Sequence, residues 1–94
     1  MTRRQQIVAV LRNGALTAAE ISRRIRASVK SVVADLEHVR KSVQHPEQWV
    51  ARDAECLECG FVFRGRGRIE TPSRCPECRS EQIRDPSFEI RGRG

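Results

Sequence analysis

Four cysteines set as two C-x-x-C pairs most constrain what this chain can fold into. Cys56-Leu57-Glu58-Cys59-Gly60 is answered by Cys75-Pro76-Glu77-Cys78, and these are the only cysteines in 94 residues. A thiolate zinc site needs four soft ligands at tetrahedral corners, about 2.3 Å from the metal. Two residues between ligands let a tight turn aim both sulfurs at one ion, so each pair supplies half the shell. The spacing is that of a zinc ribbon, with Cys56, Cys59, Cys75 and Cys78 as the expected ligands. A closed four-thiolate shell leaves no position for water, which makes the expected metal structural rather than catalytic.

Three other uses of these cysteines compete with zinc. Two disulfides would need an oxidising compartment. Met1-Thr2-Arg3-Arg4-Gln5 opens no secretory signal, and the longest apolar run, Ile7 to Leu11, is far too short to span a membrane. A cytoplasmic setting is therefore expected. A redox C-x-x-C normally needs one pair at a helix start, not two pairs. Iron suits four thiolates as well as zinc does, and sequence does not separate the two metals.

Composition bounds the rest. Only 38% of the residues are hydrophobic and 4% aromatic, so the buried core is modest and a metal staple is valuable. The net charge of +6 is unevenly placed. Residues 1–45 hold nine Lys/Arg against three acids, whereas residues 46–94 hold nine against nine. The basic half is the expected partner of a large anion, and nucleic acid is the commonest; with the helix-turn-helix described below, double-stranded DNA is the partner expected. No paired carboxylates, nucleophile–base set or phosphate-binding loop is present, so no enzymatic activity is expected.

Within residues 1–47 the pattern is helical. Ile7, Val8, Val10 and Leu11 repeat with helix spacing, and Asn13-Gly14 stops the run. Thr17-Ala18-Ala19-Glu20 reads as a capping box opening a second helix that buries Ile21 and Ile25 and leaves Arg23 and Arg24 outside. Arg26-Ala27 is a short turn and Ser28 a fresh N-cap. Val29, Val32, Leu36, Val39 and Val43 then recur by threes and fours, until His45-Pro46. Three helices with a short turn between the second and third make a helix-turn-helix.

The run Thr17-x-x-Glu20-Ile21-x-x-x-Ile25-x-x-Ser28-x-x-x-Val32-x-x-x-Leu36-x-x-Val39 resembles the core signature of winged-helix transcriptional regulators. On that resemblance the helix from Ser28 is the recognition helix, with Val29, Lys30, Ser31, Val33, Ala34, Glu37, His38 and Lys41 facing outward. Arg23, Arg24, Arg26 and Lys30 are expected to hold phosphates, and Ser28, Ser31, His38 and Lys41 complete the candidate DNA contacts. Val33 and Ala34 offer no base-edge hydrogen bonds, and Asp35 and Glu37 would repel phosphate. Modest or shape-based specificity follows.

Residues 48–94 read as β structure around the metal. Gln48 to Arg52 is strand-like, with Trp49 as an anchor between the two halves, and Phe61-Val62-Phe63 reads as a second strand. Gly60 suits a tight knuckle turn, whereas Arg79 stands at the equivalent place in the second knuckle. Arg64-Gly65-Arg66-Gly67-Arg68 forms a cationic loop whose Arg64, Arg66 and Arg68 are candidate nucleic-acid contacts. Residues 86–91 alternate apolar and polar, and their best partner is 49–53. That pairing makes a wing (about 48–54 and 86–91) enclosing a zinc ribbon (about 55–84).

Helix-turn-helix first and ribbon within the wing, this order resembles a family of predicted transcriptional regulators fusing a winged helix to a rubredoxin-like zinc ribbon. The fold expected is α+β, a three-helix winged helix-turn-helix with a small β zinc ribbon inserted in or following the wing. The resemblance implies zinc binding and DNA-binding regulation. The same order is similar to the winged-helix and zinc-ribbon subunit of a general transcription factor, which implies instead an adaptor contacting RNA polymerase or another regulator.

Overall fold

The computed structural model describes residues 2–64 and 69–92. Helix α1 (Arg3–Leu11) opens on a capping box: the Thr2 hydroxyl accepts from the Gln5 amide at 3.2 Å, and the Gln5 side chain accepts from the Thr2 amide at 2.8 Å. Strand β1 (Leu16–Thr17) leads directly into α2 (Ala18–Ile25). Thr17 serves both elements. It pairs in the sheet and also caps α2, accepting from the Glu20 amide at 3.2 Å while Glu20 accepts from the Thr17 amide at 2.9 Å. Such a cap contributes about 1 kcal/mol.

Arg26 ends α2 in the left-handed region, at φ 58° and ψ 48°. Ser28 then caps α3 (Val29–Ser42), its hydroxyl accepting from the Ser31 amide at 3.1 Å. The inward stripe of α3 is Val32, Asp35, Leu36 and Val39, spaced three and four apart. Val29, which opens the apolar repeat, lies outside that stripe and is 46% exposed.

The main sheet is antiparallel in the order β1-β5-β2, with β2 at Gln48–Arg52 and β5 at Ser87–Arg91. The register pairs Trp49 with Ile90 and Ala51 with Phe88, so the two runs expected to form the wing do pair. The two-residue β1 is an additional strand, placing Leu16 opposite Phe88. Being central, β5 sends Phe88 and Ile90 into the core beside Ile7, Leu11, Ile21 and Leu36. Trp49 stacks on Phe88, with ring centroids 5.4 Å apart.

Between β2 and β5 lies the ribbon, with β3 (Glu55–Cys56) paired to β4 (Ile83–Arg84). Residues 61–63 do not form the expected strand: they make one bridge, Val62 to Glu55. The contact is short: the Cys56 amide donates to the Phe61 carbonyl at 2.8 Å and the Phe63 amide to the Ala54 carbonyl at 2.9 Å, while Glu55 and Cys56 pair with Ile83 and Arg84 on their other side. Phe61 and Phe63 instead pack edge-to-face at 5.1 Å.

Asp35 differs from its expected role. Instead of facing phosphate it is buried, 4% exposed, and accepts from Arg3 Nε and from Arg4 Nε, the latter at 3.3 Å. The two guanidiniums hold its carboxyl below the ordinary aspartate value, against the opposing effect of burial. Asp35 thereby ties the start of α1 to the middle of α3.

Candidate metal centre

Each C-x-x-C pair sits on a turn of the same construction. In the first, the Gly60 amide donates to the Cys56 carbonyl at 3.0 Å and the Cys56 amide donates to the Phe61 carbonyl at 2.8 Å. In the second, the Arg79 amide donates to the Cys75 carbonyl and the Cys75 amide to the Ser80 carbonyl, both at 2.9 Å. Gly60 and Arg79 share a left-handed backbone, with φ of 79° and 63°. The arginine adopts the glycine conformation, so the second knuckle is not a different turn.

These turns bring the four sulfurs within 4.8 Å of one another. Cys56 Sγ and Cys78 Sγ are 3.6 Å apart, as are Cys59 Sγ and Cys75 Sγ. A tetrahedron with metal–sulfur bonds of about 2.3 Å has edges of about 3.8 Å, so the cluster fits one ion. None of the four is in a disulfide. Cys56 and Cys75 are buried while Cys59 and Cys78 face solvent, giving the metal one inner and one outer ligand from each knuckle.

Backbone amides tune the thiols. Amides of Cys59 and Glu58 donate to the Cys56 sulfur and bring its pKa down to about 7, overcoming burial. The Phe61 amide likewise favours the Cys59 thiolate, but burial and the thiols of Cys75, Cys78 and Cys56 override it and push it up to about 12. Without metal, thiolates this close oppose one another's ionisation. A divalent cation removes that conflict, and amide donors around thiolates are the supporting shell such a site requires.

Most of the candidate nucleic-acid residues lie on the helical half; Arg64, Arg66 and Arg68 fall between the two cysteine pairs. Arg23, Arg24, Arg26, Lys30, His38 and Lys41 are exposed. Ser28 and Ser31 hydrogen-bond to each other at 2.9 Å within the N-cap of α3, so their hydroxyls serve the helix. Among the described residues, Arg3, Arg4, Arg12, Arg40, Arg74, Arg84 and Arg91 are in ion pairs, whereas Arg23, Arg24, Arg26, Lys30, Lys41, Arg52, Arg64 and Arg79 are in none; the first four of these cluster about the α2–α3 turn. Arg66 and Arg68 lie outside the described residues.

One residue that sequence reasoning passed over links the two halves. Ile69, between the second and third ligands, is 3% exposed and belongs to the same core cluster as Val32 and Leu36. It lines a cleft with Val29 and Val33 of α3. Its only signal in the sequence is an isolated aliphatic residue between an arginine–glycine run and Glu70-Thr71-Pro72.

Residues 2–50 match the model of the PF0610-like N-terminal domain, and residues 53–93 match the PF0610 rubredoxin-like zinc β-ribbon domain. The solution structure of protein PF0610 from Pyrococcus furiosus is similar, with 33% identity and a TM-score of 0.76. The match covers 94% of this chain and 87% of that one. No match was found among curated proteins. Among the described residues, no helix is long and apolar enough to cross a membrane. With both domain models matched in order and the four cysteines gathered at the ribbon's metal site, the chain belongs to the PF0610-like family of proteins that carry a rubredoxin-like zinc ribbon.

Proposed function

We propose that this chain is a non-catalytic, zinc-stabilised regulator that binds double-stranded DNA through the basic side of its helix-turn-helix. The observation that carries this reading is the distribution of free charge. Arg23, Arg24, Arg26 and Lys30, which flank the turn between α2 and α3, are exposed and make no ion pair among the described residues. Unpaired cations in a cluster are the footprint of an anionic partner. Arg26 adds to it. A non-glycine residue in the left-handed region is strained by about 1–2 kcal/mol, and glycine is the usual occupant of such a helix end. An arginine kept there supports a use for its side chain.

Along α3 the exposed stripe is Lys30, Ala34, His38 and Lys41. It has charge at both ends and no bidentate base reader in its middle, which supports phosphate-led binding of modest sequence specificity. Fluorescence anisotropy of a labelled duplex, over a salt series, tests the reading. Neutralising about four phosphates gives a log–log slope near −3.6. Absence of binding at low salt would overturn it.

A second reading, an adaptor to a protein of the transcription machinery, has one observation in its favour. A groove of about 680 Å³ between α1 and α3 has an apolar floor of Val8, Ala9 and Val39. Recovery of polymerase or another regulator on the immobilised protein, with no DNA shift, would select that reading.

A further inference from the structure

The hollow in front of α3 shares Lys30 with the proposed DNA surface and adds carboxylates and an aliphatic lining that DNA binding does not call on. Two neighbouring spaces of about 560 and 550 Å³ share Val33, Ile69, Glu70 and Thr71 and lie between α3 and the ribbon segment 69–73. The size is that of a small-molecule site, and a junction between two structural units is where such sites commonly occur.

Its floor is aliphatic, with Val29 and Val33 from α3, Ile69 from the ribbon arm and Pro86 ahead of β5. Among the described residues no aromatic side chain lines it, so they offer no face on which a planar cation would stack. The lining carries both signs of charge. Lys30 is on the helix side; Glu70 and Asp85 are on the ribbon side. Among the described residues Lys30 makes an ion pair with neither carboxylate. Glu37, at the far end, is instead paired with Arg40 at 3.3 Å. The Thr71 hydroxyl donates to Asp85 Oδ1 at 2.7 Å, which orients that carboxylate; among the described residues its other oxygen has no hydrogen-bond partner.

We propose that this cleft binds a small zwitterion with an aliphatic side chain, the chemistry of a free branched-chain amino acid. Its ammonium meets Asp85 and Glu70, its carboxylate meets Lys30, and its side chain covers Val29, Val33 and Ile69. A simple amine satisfies one wall only, and a simple carboxylate the other. A charge-assisted pair at each end is what makes the dipolar ligand the better occupant. The bound molecule joins α3 to the ribbon arm. Any effect of it on DNA rests on the function proposed above; its binding does not.

The test is a methyl and amide NMR titration of the zinc-loaded full chain with L-leucine. Isopentylamine and isovalerate serve as single-charge probes, and glycine as a probe without a side chain. The expected result is a saturable shift at Val29, Val33 and Ile69, with a Kd between about 10 µM and 1 mM for a ligand of this size. Each single-charge probe and glycine bind at least about tenfold more weakly, and Lys30→Met and Asp85→Asn each weaken L-leucine by about tenfold while the spectrum stays folded. No saturable shift, equal binding of isopentylamine, or shifts outside the cleft would overturn the proposal. Because the titration contains no DNA, its failure leaves the DNA reading untouched, and failure of the DNA reading leaves it untouched.

Discussion

Gly60 and Arg79 occupy the same position in the two metal knuckles, each in a left-handed conformation and each donating its amide to the carbonyl of the first cysteine of its pair. Glycine holds that backbone at little cost; arginine holds it against the clash of its own Cβ. Arg79→Gly is therefore expected to stabilise the metal-loaded protein by about 0.5–1 kcal/mol, and Gly60→Ala to destabilise it by a similar amount. A Cβ at Gly60 meets nothing within 4 Å, so the second effect is backbone strain alone. Thermal unfolding of both variants with saturating zinc measures the pair of signs.

The Asp35 clamp gives a pH dependence. Its folded-state pKa is lowered, chiefly by Arg3 and further by Arg4, against the opposing effect of burial. The stabilisation is thus fully present above the unfolded pKa, about 4, and is lost as the pH falls through the lower folded value. Asp35→Asn is expected to cost about 1–3 kcal/mol at neutral pH. The difference from the parent closes on acidification through that window. Denaturant unfolding of the two proteins from about pH 2 to about pH 7 checks it.

Much of this was readable in the chain because the evidence was local. C-x-x-C spacing, the Thr17–Glu20 capping box and the Ser28 cap each depend on residues three or four apart. The wing pairing was also legible, from alternation in residues 86–91. What escaped was short or non-local. Strands β1 and β4 are two residues each, and Thr17 was already accounted for as a cap. Ile69 is buried only because the chain folds back onto α3. Asp35 did carry a signal: it lies on the Val32–Leu36–Val39 stripe, where an acid requires an internal partner, and Arg3 and Arg4 supply it.

Ile69 makes the helical half feel the ribbon. Ile69→Ala is expected to cost about 2–4 kcal/mol by leaving a cavity in the shared core. Faster amide exchange at Val33 and in residues 69–73 than in α1 would locate the loss at the junction.

Metal removal is expected to act on one half first. Chelation, or Cys56→Ser, takes away the ligands' common partner and loosens residues 54–80, while Ile7, Leu11, Ile21 and Leu36 still pack together. Hydrogen exchange before and after chelation reads this out. Unchanged protection across 54–80 would contradict it.

The central claim is that the free cations around the α2–α3 turn hold DNA phosphates. Its most direct measurement is the salt dependence of duplex binding for the Arg23→Gln/Arg24→Gln double variant beside the parent. Both side chains are exposed and unpaired among the described residues, so the fold is left intact. Loss of two phosphate contacts is expected to make the log–log slope shallower by about 1.8, with weaker affinity on every duplex sequence alike. An unchanged slope and affinity in a folded, zinc-loaded double variant would contradict the account.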